Sequence, residues 1–126
     1  MNTEWLVSAD PDVESAVRAV AQEIGDDFQH LRTGQEALEM GFDACAEECV
    51  AIVDLDTHSG MRYVIRTVSG LLPVIAVSTG QRKPWVSSML RHHRIVASLS
   101  KPLSHAALRA ALDRVHGESV ESAKAN

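Results

Sequence analysis

The sequence predicts an α/β fold in which five parallel strands form one sheet with helices on both faces. Five short apolar runs alternate with five amphipathic segments along the 126 residues, which is the pattern of a wound parallel sheet. The runs at 49–54 and 72–78 are almost continuously apolar, as is typical of strands covered on both faces. We assign residues 1–117 to one domain and residues 118–126 to a polar C-terminal tail.

The first half of the chain is predicted to begin with two strands and two helices. The run EWLVS leads into Asp10 and Pro11, which suit the cap and the first position of a helix that Gly25 ends. DFQHLR is polar enough to be an edge strand. Thr33 and Glu36 form a capping box for the second helix. Apolar residues recur at helical spacing in both helices, at Val13, Val17, Val20 and Ile24 and at Ala37, Leu38 and Met40.

The second half continues the alternation with CVAIVD, LPVIAVS and IVASLS as the third, fourth and fifth strands. Pro84 begins the helix before the fifth strand, Ser104 caps the final helix and Gly117 ends it. The three remaining helices carry buried stripes at Met61, Val64, Ile65 and Val68, at Val86, Met89 and Leu90, and at Leu108, Ala111, Leu112 and Val115.

Charge is divided unequally between the two halves of the chain. Residues 1–60 hold 14 acidic and two basic residues, whereas residues 61–126 hold three acidic and ten basic residues. This asymmetry predicts an acidic and a basic flank that could orient a protein partner.

No basic run with interleaved aromatic residues indicates nucleic-acid binding, and no apolar run approaches the roughly 18 residues of a membrane span. Since no signal-peptide pattern opens the sequence, we expect a cytoplasmic protein without nucleic-acid or membrane partners.

Polar side chains that could carry chemistry follow the predicted strands. Ligands gather beyond the carboxyl ends of the strands in open parallel sheets, where the strand order switches. The sequence therefore predicts that a carboxylate, hydroxyl groups and an ammonium group converge at one edge of the sheet. The residues at these strand ends are Ser8, Ala9, Asp10, Asp54, Asp56, Ser78, Thr79 and Lys101.

Over residues 4–116 the sequence resembles the receiver domain of two-component response regulators. The segments VAIVDLD, LPVIAVST and SLSKPLS have the order and spacing found in that family. The resemblance implies a flavodoxin-like sheet with the strand order 2-1-3-4-5, and a phosphorelay in which Asp54 accepts a phosphoryl group. The donor would be a histidine kinase or a phosphotransfer protein, and a downstream protein partner would receive the signal.

The resemblance also implies roles for the other strand-end residues. Lys101 supplies a cation, Ser78 a hydroxyl that bonds the phosphoryl group, and Thr79 controls access to it; the Lys101–Pro102 bond is expected to be cis. The chemistry is coherent, because a carboxylate can act as a nucleophile and the transferred oxygens need counter-charge. No enzymatic activity is expected beyond self-catalysed phosphoryl transfer and dephosphorylation at Asp54.

Four positions depart from the receiver pattern. Ser8 and Ala9 replace the two acids that normally hold Mg²⁺, Ser98 replaces an aromatic residue, and His58 stands in place of a proline and is expected to be solvated. With Asp10 explained as a helix cap, we expect Asp54 and Lys101 nearly to neutralise each other. The only Mg²⁺ site that remains is a weak one formed by Asp54, Asp56 and Asp10.

The resemblance places the signalling face on the fourth helix, the fifth strand and the fifth helix. In this chain that face would carry mainly basic residues, together with one aromatic residue that could anchor a partner. These residues are Arg82, Lys83, Trp85, Arg91, His92 and Arg94. Homodimerisation is left open.

Two other interpretations are compatible with part of the pattern. A degenerate receiver would keep the fold and act as a phosphorylation-independent interaction module, which the residues Ser8, Ala9 and Ser98 favour. A flavodoxin-like enzyme or nucleotide binder would need a Gly/Ser/Thr-rich phosphate loop after the first strand. The segment SADPD is instead acidic and stiffened by proline, so this second interpretation is disfavoured.

Overall fold

Strands and helices alternate along the chain in the computed structural model, which describes residues 2–40, 49–80, 83–92 and 94–125, with side chains up to residue 116. The elements are β1 (Thr3–Val7), α1 (Pro11–Ile24), β2 (Asp27–Leu31), α2 (Gly34–Met40), β3 (Cys49–Asp54), α3 (Met61–Ser69), β4 (Val74–Ser78), α4 (Pro84–Arg91), β5 (Ala97–Ser100) and α5 (His105–Ala125). The predicted alternation is confirmed.

The five strands form one parallel sheet in the order β2-β1-β3-β4-β5. The predicted order is confirmed, with the polar strand β2 at one edge. β1 pairs with β2 on one side and with β3 on the other. The direction in which successive strands are added to the sheet therefore switches at β1. Parallel strands have their carboxyl ends at the same rim, so the residues that follow β1, β3, β4 and β5 are brought to one place.

The helices cover the sheet on both faces, and each face has its own apolar core. One core is built around Leu6, Ile52 and Ile75 of the sheet and is covered by α1 and α5. The other is built around Val7, Val53 and Ala76 and is covered by α2, α3 and α4. All residues of β3 and β4 are buried, in agreement with their continuous apolar runs.

Local signals at the start and end of α1 are as predicted. The Asp10 side chain accepts a hydrogen bond from the Asp12 backbone N–H, Pro11 occupies the first turn, and Gly25 ends the helix with a left-handed φ of 80°. At α2, the Glu36 backbone N–H donates to Thr33 Oγ1 at 3.1 Å, which is half of the predicted capping box.

The prediction that Gly117 ends the last helix is wrong, since α5 continues to Ala125. A glycine inside a helix costs only about 1 kcal/mol relative to alanine, and the residues after Gly117 include the helix-favouring Glu118, Glu121 and Ala123.

None of the helices in the described part of the chain is both long and apolar enough to cross a bilayer.

One carboxylate lies in the core at the amino end of the sheet. Glu4 of β1 has an exposed fraction of 0%, and within the described part of the chain neither of its oxygens has a hydrogen-bond donor. Burial raises the pKa of Glu4 to about 8, and the neighbouring carboxyl of Asp26 adds to this effect. His116 Nε2 lies 3.8 Å from Asp26 Oδ2. A proton on Glu4 removes the cost of burying a second negative charge beside Asp26 and allows a hydrogen bond between the two carboxyl groups, so this site favours protonated Glu4 near neutral pH.

Candidate functional site

The carboxyl rim of the sheet brings together side chains that follow four different strands. Asp54 is the last residue of β3 and is buried, with an exposed fraction of 1%. Lys101 follows β5 directly, and its backbone N–H donates to the Ser78 carbonyl at the end of β4. The Lys101–Pro102 peptide bond is cis.

Three carboxylates surround the ammonium group of Lys101. Its Nζ atom lies 2.9 Å from Asp54 Oδ2, 3.1 Å from Asp10 Oδ2 and 3.3 Å from Asp56 Oδ2. Desolvation opposes the charged form of Lys101, but the hydrogen bonds to Asp54 and Asp10 outweigh it and raise the pKa of the ammonium group. Lys101 therefore stays charged and acts as a fixed internal cation.

Asp54 accepts hydrogen bonds on both oxygens. Ser8 Oγ donates to Asp54 Oδ2 at 2.6 Å, in addition to the bond from Lys101, and the Asp56 backbone N–H donates to Asp54 Oδ1 at 3.0 Å. Bonds to an ionised acceptor are the stronger kind. Ser8 itself accepts a bond from the Asp10 backbone N–H at 3.0 Å, so the loop after β1 is tied to the tip of β3.

Asp10 is both a helix cap and a member of this cluster. Its Oδ1 atom accepts from the Asp12 backbone N–H at 2.9 Å, and its Oδ2 atom accepts from Lys101. The hydrogen bond from Lys101 is the main reason why the pKa of Asp10 is lowered. The expectation that Asp54 and Lys101 nearly neutralise each other is therefore wrong. Three carboxylates face one ammonium group, because Asp10 caps α1 with one carboxylate oxygen and accepts a hydrogen bond from Lys101 with the other.

Thr79 holds the third carboxylate in place. The backbone N–H and the Oγ1 hydroxyl of Thr79 donate to Asp56 Oδ2 at 2.8 and 2.7 Å. Burial acts to raise the pKa of Asp56, but the hydrogen bonds from Thr79 and Lys101 outweigh it and lower the pKa. The acidic cluster is thus stabilised by Thr79, which follows β4, and by Lys101, which follows β5, as well as by its own loop.

A cavity of about 350 Å³ opens over this cluster, and its size suits a small anionic group. It is lined by Ala9, Asp10, Asp54, Asp56, Thr57, Thr79 and Lys101. Ser78 is the last residue of β4, is buried, and is not part of this lining. The hydroxyl group that the cavity presents from β4 is therefore that of Thr79.

Comparisons with known proteins identify the fold. No protein-family model and no curated protein matches the chain. A response regulator from Thermotoga maritima is 17% identical, with a TM-score of 0.74 over 91% of this chain and 97% of that chain. A response regulator receiver domain protein from Clostridium thermocellum is 14% identical, with a TM-score of 0.76 over 95% and 98% of the two chains. A response regulator receiver protein from Burkholderia phymatum is 20% identical, with a TM-score of 0.69 over 90% and 96%.

The chain has the receiver fold. The strand order and the positions of the helices agree with the expectation from the sequence.

The acidic cluster does not fit a Mg²⁺ ion. Mg²⁺ requires near-octahedral oxygen ligands, and no group of three His, Cys, Asp or Glu side chains is placed to hold a metal ion among residues 2–40, 49–80, 83–92 and 94–116. Asp10, Asp54 and Asp56 each direct Oδ2 at Lys101 instead. The ammonium group occupies the centre of the cluster, where a metal ion would need those oxygens.

Ser8 is the residue of this site whose role could not be assigned from the sequence. In the receiver pattern its position belongs to an acid, so its identity indicates only a lost metal ligand. The structure gives it a hydrogen bond to Asp54. The signal that could have identified it is positional, since a serine at the end of a buried strand needs a partner for its hydroxyl group.

His58 is exposed, as expected for this loop residue, and its ring also makes two hydrogen bonds to the backbone. Its Nε2 atom accepts from the Gly34 backbone N–H at 2.9 Å, and its Nδ1 atom donates to the Ser59 carbonyl at 2.5 Å. The ring approaches closely because residue 34 is glycine: a Cβ atom there would lie 3.0 Å from the ring and 2.6 Å from Val64 Cγ2. The loop after β3 is thus bonded to the start of α2.

Some of the predicted partner-face residues line one cleft, and others lie outside it. Trp85, His92 and Arg94 line a cleft between α3 and α4, together with Arg62 and Arg66 of α3, which were not predicted to belong to the partner face. Lys83 and Arg91 are exposed at the two ends of α4, outside that lining. Arg82 lies outside the described residues. Part of the basic surface therefore lies between α3 and α4, and the assignment of the remaining residues to a signalling face stays a prediction.

Ser98, at the position where receivers carry an aromatic residue, is half-buried in β5. It lines an open groove of about 620 Å³ between β5 and α5, together with the small side chains of Ala107, Ala110 and Ala111. An aromatic side chain that could rotate against the pocket is missing at this position.

Proposed function

We propose that this chain is a receiver that accepts a phosphoryl group on Asp54 from a phosphohistidine of a histidine kinase or phosphotransfer protein. The observation that carries the proposal is the 2.9 Å contact between Lys101 Nζ and Asp54 Oδ2 at the carboxyl rim of a receiver fold. A buried carboxylate beside a fixed cation, under a small open cavity, is suited to take up an anionic group.

The attacking atom in this proposal is Asp54 Oδ1. It accepts one hydrogen bond, from the Asp56 backbone N–H, in the described part of the chain, whereas Oδ2 accepts from both Ser8 and Lys101. Oδ1 therefore keeps a lone pair that can attack phosphorus. As the new P–O bond forms, the P–N bond of the donor breaks, and its electron pair stays on the imidazole nitrogen, which takes up a proton from solvent. The product is an acyl phosphate on Asp54.

Lys101 neutralises the negative charge that arrives. The ammonium group already bridges Asp10 and Asp56, so it can contact a phosphoryl oxygen after a small shift and needs no metal ion in this scheme. The Thr79 hydroxyl lines the same cavity and can turn from Asp56 to the phosphoryl group. The role that the resemblance implies for Ser78 is part of this proposal and can be tested by substitution.

The wider assignment follows from the same chemistry. We propose that the chain relays a signal in the cytoplasm by changing its contacts with a downstream protein, and that it has no enzymatic activity other than phosphoryl transfer and dephosphorylation at Asp54. No role for nucleic acid or membrane binding is included.

A degenerate receiver is the second candidate, and one specific observation favours it. Asp10 and Asp56 lie at 3.1 and 3.3 Å from Lys101 Nζ, and these two carboxylates repel an incoming phosphoryl group. If this repulsion prevents transfer, the module would signal by binding alone.

Intact mass spectrometry decides between the two. The protein is incubated with acetyl phosphate or phosphoramidate, and separately with a phosphorylated phosphotransfer protein, each with and without Mg²⁺. A gain of one phosphoryl group in the wild type and in the exposed control Asp27→Ala, absent in Asp54→Ala, supports the proposal. An unchanged mass with every donor refutes it and leaves the interaction module.

A further inference from the structure

A second candidate site lies on the side of the molecule between α3 and α4. A cleft of about 450 Å³ opens there, and its lining combines cationic side chains with an aromatic and a thioether group. These residues are Arg62, Arg66, Trp85, Ser88, Met89, His92 and Arg94. No residue of the acidic cluster at the rim belongs to this lining.

The cations of the cleft lack carboxylate partners. Arg62, Arg66 and Arg94 form no ion pair with any residue in the described part of the chain, and all three are exposed. Arg62 and Arg66 are four residues apart on α3, so their like charges lie on the same face of the helix. Grouping them around one cleft is electrostatically unfavourable unless an anion binds there, and a focused positive potential attracts such a ligand.

The apolar part of the lining indicates what else the ligand carries. Trp85 and Met89 are half-buried and lie one turn apart on α4. The Arg62 guanidinium group lies 5.7 Å from the centre of the Trp85 ring, which is the distance of a cation–π contact. One face of the ring is therefore already covered, which makes Trp85 an apolar wall rather than a free platform for stacking a base.

The spacing of the cations favours an extended ligand over a single phosphate group. Arg62 and Arg66 are separated by about one helical turn, roughly 6 Å, and Arg94 follows the other helix, beyond its last residue. Lys83 and Arg91 add exposed positive charge at the two ends of α4, outside the cleft lining. Carboxylates spaced along a peptide match this row, whereas a compact anion reaches only part of it.

We infer that the α3–α4 cleft binds an acidic segment of a partner protein, with carboxylates on the arginines and an apolar side chain against Trp85 and Met89. Arginine suits this task because its planar fork binds a carboxylate through two parallel hydrogen bonds. The inference does not depend on phosphorylation of Asp54, so either proposal can fail without the other.

Fluorescence anisotropy with a labelled peptide of alternating Glu and Leu residues tests the inference. A second peptide with Gln in place of Glu is the probe for charge, and Arg66→Glu is the test variant. Arg114→Glu is the matched control, because it makes the same charge change at an exposed position of α5, outside this cleft. Circular dichroism checks that each variant is folded, and Arg94→Glu replaces Arg66→Glu if the latter is not.

The expected result is that the wild type binds the Glu peptide and not the Gln peptide, and that added salt weakens the binding. Arg66→Glu is expected to weaken it by about tenfold or more, and Arg114→Glu by less than about twofold. Equal losses in both variants would mean non-specific attraction by net charge and would overturn the inference, as would a wild type that does not bind the Glu peptide. ATP binding that Arg66→Glu removes, without peptide binding, would identify a nucleotide site instead. Self-association lost in Arg66→Glu would identify a second copy as the occupant.

Discussion

The buried carboxylate at the amino end of the sheet makes the stability of this protein depend on pH in an unusual direction. Glu4 is fully buried in β1, without a hydrogen-bond donor in the described part of the chain, and Asp26 is its acidic neighbour. Glu4→Gln keeps the shape of the side chain and replaces the acid by a neutral amide that can donate to Asp26. We expect this substitution to remove the pH dependence that Glu4 creates.

The sign and the magnitude follow from the two pKa values. The pKa of Glu4 is about 8 in the folded chain and 4.5 in its ordinary state, so between these values the folded chain holds a proton that the unfolded chain has released. The free energy of unfolding therefore falls as pH rises through this window. The full contribution is present below pH 4.5 and is lost by about pH 8, and it amounts to about 5 kcal/mol. In the variant this loss is absent, so Glu4→Gln is expected to be more stable than the wild type at pH 8.

Urea unfolding followed by circular dichroism at several pH values between 5 and 8.5 measures this effect. The control is Asp27→Asn, which removes an exposed carboxylate close to the same end of the sheet. Asp26, which neighbours Glu4, and His116, which lies 3.8 Å from Asp26, are unchanged in both variants. Equal slopes of unfolding free energy against pH in the wild type and Glu4→Gln would refute the assignment of a protonated Glu4.

Three further predictions concern the acidic cluster and its surroundings. Lys101→Met leaves three carboxylates without a counter-ion, so the free energy of unfolding at pH 7 is expected to fall by about 3–5 kcal/mol, and Mg²⁺ is expected to restore part of it in thermal unfolding. Ser8→Asp combined with Ala9→Asp is expected to introduce Mg²⁺ binding, measured by calorimetric titration against the wild type. Gly34→Ala places a Cβ atom 2.6 Å from Val64 Cγ2, and the overpacking is expected to lower the urea midpoint, at a cost of about 1–3 kcal/mol.

Each of these predictions has a result that contradicts it. A Lys101→Met protein as stable as the wild type would mean that the carboxylates do not depend on the ammonium group. Unchanged Mg²⁺ affinity in the double aspartate variant would show that Ser8 and Ala9 do not occupy the positions of the receiver acid pair. A Gly34→Ala protein with wild-type stability would mean that His58 and Val64 can move aside. Gly70→Ala is the matched control, because an added Cβ atom there would lie 3.5 Å from the Thr67 carbonyl oxygen, an ordinary contact distance.

The fold could be predicted from the sequence because its signals are local. The cap at Asp10, the stop at Gly25 and the apolar runs of β3 and β4 depend on neighbours within a few residues, and the structure confirms them. Gly117 is the exception, because a glycine ends a helix only where the following residues do not continue it.

The acidic cluster could be predicted only in part. The meeting of Asp54 with Lys101 follows from parallel strands that end at one rim. The second contact of Asp10, with a residue 91 positions away, depends on where a side chain points after the sheet has formed. The hydroxyl bond from Ser8 to Asp54 and the cleft between α3 and α4 depend on tertiary packing in the same way. The periodicity of apolar residues contains no information on these tertiary contacts.

The bond between His58 and Gly34 connects two parts of the molecule that are far apart along the chain. Because Nδ1 of His58 donates to Ser59 and Nε2 accepts from Gly34, only the neutral ring with its hydrogen on Nδ1 satisfies both contacts. The loop that carries Asp56 is therefore coupled mechanically to the first turn of α2. A protein that docks on α2 and pulls its first turn away breaks this hydrogen bond. It thereby loosens the segment beside Asp54, the proposed phosphoacceptor, without touching the pocket itself.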